Sequence, residues 1–304
     1  MLYFSSYGKE FDNQSSSFFG NIGPGFDCLA LALDIWNTIT VSSGDNTVSI
    51  NGYGKEFLPK NQSNLIFKSF HRIFQETGQS PPSVHFECEN NIPIGKGLGS
   101  SAASVIGGLI AGNQLLNNPF TNNQILSFAS DIEGHPENAA AALLGGFQIV
   151  IKSPNTLLTS EVRLKESMKA ILFIPEIEMP TAESRKVLKS TISRDDAIFN
   201  IGRAALLVNA LSLGDLELLS TATEDRLHQP ARQKIFLPMS NLFNAAKNSG
   251  ALAYFLSGAG STVIAFAQEK EFTIGYEMAD AASKSGIDGE IRISELSKQG
   301  TYIS

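Results

Sequence analysis

Hydrophobic and polar positions follow two periods along the N-terminal half of the chain. Residues 84–87 alternate as a strand, and residues 35–50 alternate in places around a Ser-Gly-Asp-Asn turn, which predicts a hairpin. Aromatic and isoleucine residues recur at helical spacing over residues 64–76 and predict an amphipathic helix. Residues 1–17 are rich in Ser, Gly and Asn and show no sustained period, so we expect them to be the least regular part.

The second half alternates apolar strands with helices, which predicts an α+β domain built on a split β-α-β layer. The Pro-Asn pair at residues 154–155 marks the expected domain boundary, with one domain over residues 1–154 and another over residues 155–304. The predicted elements of this half are a strand (170–174), helices (181–188, 198–213, 215–222, 242–249), strands (253–256, 263–267), a helix (272–284) and a strand (289–293).

A glycine-rich loop follows the strand predicted at residues 84–87. The loop reads, in order, Pro93, Ile94, Gly95, Lys96, Gly97, Leu98, Gly99, Ser100, Ser101, Ala102 and Ala103. Glycines let the backbone approach a ligand closely, and the serines can cap a helix whose free N–H groups favour phosphate. No Asp or Glu occurs between Asn90 and Ser130, so nothing acidic in that stretch repels an anion.

Two familiar phosphate loops do not fit this stretch. A Walker A loop needs Ser or Thr directly after its Gly-Lys pair, and Gly97 follows Lys96 here. A dinucleotide fingerprint needs an acidic residue about 20 positions on, and residues 117–123 contain none. On spacing alone, a tight strand-to-helix turn without a ligand remains the alternative.

In sequence the loop resembles the central motif of the GHMP kinases, which phosphorylate galactose, homoserine, mevalonate and phosphomevalonate. Residues 21–27 resemble the first motif of the family in its homoserine kinase form, and residues 257–262 resemble the third. The resemblance implies a two-domain α+β fold, with a ribosomal-protein-S5-like N-terminal domain and a ferredoxin-like C-terminal domain. It also implies that residues 93–102 bind ATP and that Ser100 or Ser101 helps to hold Mg²⁺.

Residues 133–138, Glu-Gly-His-Pro-Glu-Asn, form a polar cluster directly before an apolar segment, which favours a site over a solvated face. The cluster resembles the Glu-Gly-His-Pro-Asp-Asn run of many bacterial homoserine kinases. The resemblance implies that Glu133 is the second Mg²⁺ ligand, beside Ser100, and that His135 and Asn138 line the acceptor site. Glu137 stands where the family usually has Asp and is the candidate catalytic base, although phosphoryl transfer depends mainly on positioning and charge neutralisation.

The resemblance further implies an amino-acid site. A carboxylate at Asp27 suits a substrate ammonium, and two arginines suit a carboxylate. The implied substrate residues are Asn21, Asp27, Thr181, Arg185, Arg232 and Gly258. The alternative for Asp27 is a cap for the apolar segment after it. Each arginine, taken alone, is more often a solvated surface residue. Asn64 is either an adenine contact, as the family suggests, or a helix cap.

The sequence departs from the family pattern at two further places, and each departure bears on the expected structure. The residues before Asn21 lack the usual Val-rich strand and Pro-Ala-Ser/Thr step. Ser261 replaces a Pro of the third motif, and its N–H and freer φ are expected to loosen that turn. Arg203 lies in a helix that resembles a structural one, so we leave it out of the site.

Composition and charge limit the classes of partner that we expect for this protein. A net charge of −7 without a Lys/Arg block argues against nucleic acid. Neither of the two cysteines has metal-site spacing, no apolar run approaches membrane length, and the amino terminus lacks a secretory pattern. We therefore expect a cytoplasmic protein without a membrane partner, and the sequence leaves monomer and homodimer both open.

The resemblance implies ATP-dependent phosphorylation of the side-chain hydroxyl of L-homoserine to O-phospho-L-homoserine, on the route to threonine. One alternative is a GHMP kinase with a mevalonate-type acid as substrate, which the negative charge of Asp27 would repel. Another is a homologue that binds nucleotide or amino acid without catalysis. The atypical first strand, Glu137 and Ser261 are the features that favour this second alternative.

Overall fold

The computed structural model describes residues 10–154 and 156–304. The N-terminal part contains β1 (Glu10–Asn21), β2 (Gly25–Ser43), β3 (Thr47–Gly52), α1 (Leu65–Thr77), β4 (Val84–Asn90), α2 (Ser100–Leu115), α3 (Asn122–Glu133), α4 (Pro136–Leu144), β5 (Phe147–Ser153) and β6 (Thr156–Val162). The C-terminal part contains β7 (Lys169–Pro175), α5 (Thr181–Lys186), α6 (Arg194–Leu213), a 3-10 turn (Leu216–Leu218), α7 (Leu219–Ala222), α8 (Gln229–Arg232), α9 (Met239–Asn248), β8 (Ala253–Leu256), β9 (Val263–Ala267), α10 (Glu271–Lys284), β10 (Gly289–Glu295) and β11 (Tyr302–Ile303).

The strands form two sheets, as the predicted α+β class requires. The first has seven strands, in the order β11-β1-β2-β4-β3, with β5 paired to β2 and β6 paired to β5. The second has four strands, in the order β10-β7-β9-β8. The boundary predicted at residues 154–155 falls between β5 and β6, which pair in the first sheet, and Asn155 itself lies outside the described residues. The chain passes to the second sheet later, between β6 and β7.

β1 corrects the expectation of irregular structure at the start of the chain, as far as the described residues reach. Residues 10–21 form a twelve-residue strand that pairs with β2 along nearly its whole length. Its polar side chains are buried and used: Asn13 donates to Gly107 O at 3.0 Å, and Ser17 Oγ donates to Leu98 O at 2.8 Å. A buried strand with polar side chains lacks the apolar alternation that marks strands in a sequence.

The predicted hairpin over residues 35–50 is also wrong. Both strands exist, but β4 lies between β2 and β3, and β3 pairs with β4 in parallel register, with Val48 opposite Phe86. Helix α1 makes the crossover from β3 to β4. Alternation of apolar and polar residues predicts where strands lie but not which strands pair, because pairing depends on long-range packing.

Helices α1 and α2 pack very closely, as the small residues of α2 predict. A Cβ atom at Gly108 would lie 2.4 Å from Ile66 O, and one at Gly112 would lie 3.1 Å from Phe70 O. Both contacts run in the same chain direction, so the first turns of α1 lie beside the second half of α2. The start of α1, with Asn64 and Leu65, lines the same cavity as the glycine-rich loop.

By length and composition alone, α6 is long and apolar enough to cross a membrane, and it is the one such helix in residues 10–154 and 156–304. The expectation that no apolar run reaches this length is therefore not met. Within α6, Arg203 pairs with Glu224 at 2.6 Å, while Leu207 and Leu211 are buried in the protein core. These contacts are those of a helix packed on its own domain, and Arg203 lies outside the site, as expected.

Candidate active site

A cleft of about 450 Å³ lies between the N- and C-terminal parts of the chain. It is lined by every predicted site residue except Lys96: Asn21, Asp27, Asn64, Pro93, Ile94, Gly95, Gly97, Leu98, Gly99, Ser100, Ser101, Ala102, Glu133, His135, Glu137, Asn138, Thr181, Arg185, Arg232 and Gly258. It is also lined by residues that the sequence did not single out: Phe18, Leu58, Pro59, Ser63, Leu65, Lys68, Ser104 and Ala259. We call this space the active-site cleft.

The glycine-rich loop ends at the start of α2, but its serines do not cap the helix as predicted. Gly99 is the N-cap, with φ of 84°, and Ser100 is the first helical residue. No side chain makes a capping hydrogen bond at this end of α2. The first N–H groups of the helix therefore remain available to a ligand, and with the helix dipole they favour an anion.

Close contacts from both parts of the chain hold the loop in place. A Cβ atom at Gly97 would lie 2.3 Å from Ser257 O, and one at Gly99 would lie 2.2 Å from the ring of Phe18. Ser257 Oγ donates to Gly97 O at 2.6 Å. Both glycines also have positive φ, so the positions require glycine for space as well as for backbone conformation.

Lys96 does not line the cleft, and its assignment to the nucleotide site stays a prediction. Its Nζ donates to Glu176 O at 2.5 Å, and desolvation of the ammonium lowers its pKa. Lys68 is the lysine that lines the cleft, one helical turn after Asn64 on α1. Its position four residues after Asn64 was the available sequence signal, because residues at that spacing share a helix face.

Asn64 has the capping role that was one of its two predicted roles, and its contact with adenine stays a prediction. Its side chain caps α1 by accepting a hydrogen bond from Ile66 N at 3.0 Å, and it donates to Pro59 O at 2.6 Å. Asn64 also lines the active-site cleft, together with Pro59. The capping role therefore holds the residue in place where a nucleotide contact is expected.

Ser101 and Glu133 form the oxygen-rich part of the cleft. Ser101 Oγ donates to Glu133 Oε1 at 2.5 Å, and burial raises the pKa of Glu133. Of the two candidate serines, Ser101 is thus the one that contacts Glu133, and Ser100 lines the cleft beside it. Among the described residues no group of three or more His, Cys, Asp or Glu is placed to hold a metal. The donors fit Mg²⁺, which uses one or two carboxylates together with phosphate oxygens and water.

Glu137 lies in the first turn of α4 and is only 2% exposed. Its Oε2 atom has no hydrogen-bond partner among the described residues. Burial, and then the negative charge of Asp27, raises the pKa of Glu137 to about 7. An unpartnered carboxyl with a pKa near neutrality is suited to accept a proton from a substrate hydroxyl.

His135 and Asn138 flank Glu137 at the same end of the cleft. His135 Nδ1 lies 2.9 Å from Glu133 O, and since a carbonyl only accepts, Nδ1 carries the proton. A Cβ atom at Gly20 would lie 2.8 Å from Asn138 Oδ1, so a larger residue there would displace the amide. Both residues line the cleft as predicted.

Asp27 and Arg185, expected to bind opposite charges of an amino acid, bind each other. The Arg185 guanidinium donates to both oxygens of Asp27, at 2.6 and 3.2 Å. The backbone that presents Asp27 is unusual, because Asn21, Ile22 and Asp27 have φ of 72°, 46° and 56°. Non-glycine residues seldom adopt positive φ, and such strain clusters at ligand sites. Asp27 N donates to Asn21 Oδ1 at 3.1 Å, which stabilises this turn.

Arg232 is the largest fully buried side chain among the described residues, at 1% exposure. Its Nη1 donates to Gly258 O at 2.8 Å, and Asn21 Nδ2 donates to the same oxygen at 2.9 Å. Burial, together with the nearby charge of Arg185, lowers the pKa of Arg232 to about 10. The guanidinium is therefore still charged at neutral pH and belongs to the cleft rather than to the surface.

The turn over residues 257–262 is held more firmly than the Ser-for-Pro replacement suggested. Ser261 is fully buried, and its Oγ donates to Ile177 O at 2.6 Å. Thr262 N donates to Lys96 O at 3.2 Å, and Ser257 N donates to Thr262 O at 2.9 Å. The expected loosening of this turn is not seen.

An open helix N-terminus, a paired serine and carboxylate, and a charged group of Asp27 with two arginines line one cleft, as expected of a small-molecule kinase. Family models agree with this class: residues 64–146 match the GHMP kinases N terminal domain, and residues 205–283 match the GHMP kinases C terminal domain. The Leishmania major mevalonate kinase in complex with R-mevalonate has the same fold, with a TM-score of 0.70 at 14% identity over 96% of each chain.

Homoserine kinases are similar to the chain over nearly its whole length. The homoserine kinase of Moorella thermoacetica is 35% identical, over 88% of this chain and 90% of its own. That of Clostridium acetobutylicum is 39% identical, over 83% of this chain and 85% of its own. The crystal structure of the Cytophaga hutchinsonii homoserine kinase superposes with a TM-score of 0.88 at 27% identity, over 100% of both chains. The chain belongs to the homoserine kinases of the GHMP kinase family.

Proposed function

We propose that this protein transfers the γ-phosphoryl group of ATP to the side-chain hydroxyl of L-homoserine and yields O-phospho-L-homoserine and ADP. The observation that carries the proposal is the placement of an open helix N-terminus, the Ser101–Glu133 pair, and Asp27 with two arginines in one cleft. The first two features suit a nucleotide triphosphate, and the third suits a zwitterionic amino acid.

The nucleotide end of the cleft is formed by residues 93–95 and 97–102 and by the start of α1. The N–H groups at the start of α2 donate to phosphate oxygens, and Asn64 lies where the nucleoside is expected. Ser100 or Ser101 with Glu133 would hold Mg²⁺, which neutralises charge on the phosphates when bound. The contact between Ser101 and Glu133 supports a site shared between this pair and the nucleotide.

The acceptor end binds the amino acid by its two charges. Asp27 receives the ammonium, and Arg185 and Arg232 receive the carboxylate, with Asn21, Thr181 and Gly258 around them. Glu137 accepts the proton of the hydroxyl as the phosphorus–oxygen bond forms. His135 and Asn138 orient the hydroxyl beside it. The raised pKa of Glu137 and its unpartnered Oε2 support this role, while positioning supplies the larger share of the rate.

The experiment is an ADP-release assay with ATP and Mg²⁺ against L-homoserine, mevalonate and no acceptor, with the product identified by mass spectrometry. The proposal expects turnover with L-homoserine alone. Turnover with mevalonate alone would assign the protein to the other substrate class. ATP binding without turnover of either acceptor would mark a homologue that has lost catalysis.

Three features weigh against the catalytically impaired alternative. The first strand is formed although its sequence is atypical, and Ser261 holds the third motif in place. Glu137 reaches the cleft in spite of its extra methylene.

The two cysteines, Cys28 and Cys88, are free thiols, which supports a reducing cytoplasmic location.

A further inference from the structure

A fully buried histidine lies directly behind Arg232. His228 Nδ1 is 2.8 Å from Arg232 Nη1, and His228 Nε2 is 2.8 Å from Gly23 O. A guanidinium only donates and a carbonyl only accepts, so the tautomer is fixed: Nδ1 accepts and Nε2–H donates. Burial lowers the pKa of His228, which therefore stays neutral at physiological pH.

The surroundings of His228 fix its ring. Asp225 caps α8 by accepting from the backbone N–H groups of His228 at 2.9 Å and Gln229 at 2.7 Å. Asn200 Nδ2 donates to the same carboxylate at 2.7 Å. The imidazole stacks on the ring of Phe26 at 5.3 Å, and the side chains of His228 and Asp225 are both 0% exposed.

The contact with His228 decides which nitrogen of the Arg232 guanidinium remains for a ligand. Nη1 is shared between His228 and Gly258 O, and Nε is buried without a partner among the described residues. No carboxylate of those residues lies within ion-pair distance of Arg232. A buried cation without such a counter-ion calls for an anionic ligand, and Nη2 is the nitrogen left to donate to a carboxylate.

We propose that His228 is a positioning residue for the substrate carboxylate: by accepting a hydrogen bond from Nη1, it holds the Arg232 guanidinium so that Nη2 is left to donate to the amino acid. The inference rests on the proposed function and adds a residue that does not touch the substrate. His228 orients the guanidinium, and Arg232 supplies the positive charge that binds the carboxylate.

Two substitutions separate the two ring nitrogens. In His228→Asn, the amide oxygen takes the place of Nδ1 and keeps an acceptor for Arg232. In His228→Gln, the amide nitrogen takes the place of Nε2 and keeps the donor to Gly23 O, but no acceptor faces Arg232. We expect His228→Gln to raise KM for L-homoserine about ten-fold or more, since hydrogen bonds to charged groups are the strong ones. KM for ATP and kcat stay within about two-fold of wild type, and His228→Asn keeps KM for L-homoserine within about three-fold.

His71→Gln on α1, outside the cleft, is the matched control and leaves all constants unchanged. An equal rise of KM in both His228 variants, or an unchanged KM in His228→Gln, would overturn the proposal. If either variant unfolds, ¹⁵N NMR of the wild-type protein with its four histidines decides. A neutral ring protonated on Nε2 supports the inference, and a proton on Nδ1 overturns it. Wild-type turnover of L-homoserine in the same assay tests the proposed function separately.

Discussion

Glutamine in place of Glu137 is expected to stabilise the ligand-free protein at neutral and alkaline pH while it removes the proposed base. The carboxyl is 2% exposed, and burial with the charge of Asp27 raises its pKa from 4.5 to about 7. The folded protein therefore keeps the Glu137 proton up to about pH 7, whereas the unfolded chain releases it near pH 4.5. Because the folded state binds more protons across this window, stability contributed by this group falls as pH rises through it.

The magnitude follows from the interval between the two pKa values. At pH 8 Glu137 is ionised in both states, and its raised pKa lowers the free energy of unfolding by about 3 kcal/mol. At pH 5 the unfolded carboxyl is only partly ionised, and the free energy of unfolding is lowered by less than about 1 kcal/mol. Glutamine has nearly the same shape and no charge, so the advantage of Glu137→Gln over wild type grows from pH 5 to pH 8.

Denaturant unfolding of the ligand-free protein at pH 5, 6, 7 and 8 measures this difference, with the exposed Glu269→Gln as control. A difference between Glu137→Gln and wild type that stays constant with pH would refute the reasoning. In the kinetic assay, wild-type kcat/KM for L-homoserine should fall about ten-fold from its plateau by pH 6, as the fraction of ionised Glu137 falls. Glu137→Gln should lose about 10²-fold or more, and wild-type turnover in that variant would exclude Glu137 as the base.

Three further substitutions test separate parts of the cleft. Lys68→Met should raise KM for ATP about five-fold, because a cation near the expected position of the phosphates is lost, and it should leave KM for L-homoserine unchanged. The control Lys189→Met, outside the cleft, should change neither KM. Asp27→Asn should raise KM for L-homoserine at least about ten-fold, measured by ADP release, through the loss of the partner for the ammonium. Ser257→Ala removes the bond to Gly97 O and should lower the free energy of unfolding by about 1–2 kcal/mol in denaturant titrations; an unchanged value would show that this bond does not hold the loop.

The parts of the fold that the sequence predicts well have a local cause. The glycine-rich loop and α2 follow from glycines, serines and small residues that are contiguous, and the C-terminal strands follow from short apolar runs. β1 is missed because its inward-facing Asn13 and Ser17 are polar and donate to carbonyls of distant segments. The position of β3 is missed because nothing within residues 35–50 encodes that β4 will lie beside β2.

Within the site, too, contiguous residues could be predicted and contacts with distant segments could not. Residues 133–138 reach the cleft together because they are contiguous, whereas the direction of Lys96 is decided by Glu176 O, from a segment 80 residues away. His228 has one local signal, its spacing of four residues from Arg232, which places both on one turn of α8. Its role becomes visible only when Gly23, some 205 residues earlier in the chain, supplies the second partner.

The two arginines of the acceptor site differ in what a substrate must do to reach them. Arg185 is paired with Asp27, but the two side chains are 33% and 37% exposed, and an ion pair at that exposure contributes at most about 1 kcal/mol. A zwitterionic substrate replaces this pair with one bond to each partner, so the exchange costs little. Arg232 is 1% exposed and bonded to His228 and Gly258 O, so it has no freedom to follow the ligand. We therefore expect Arg232 to set the position of the substrate carboxylate and Arg185 with Asp27 to adjust to it.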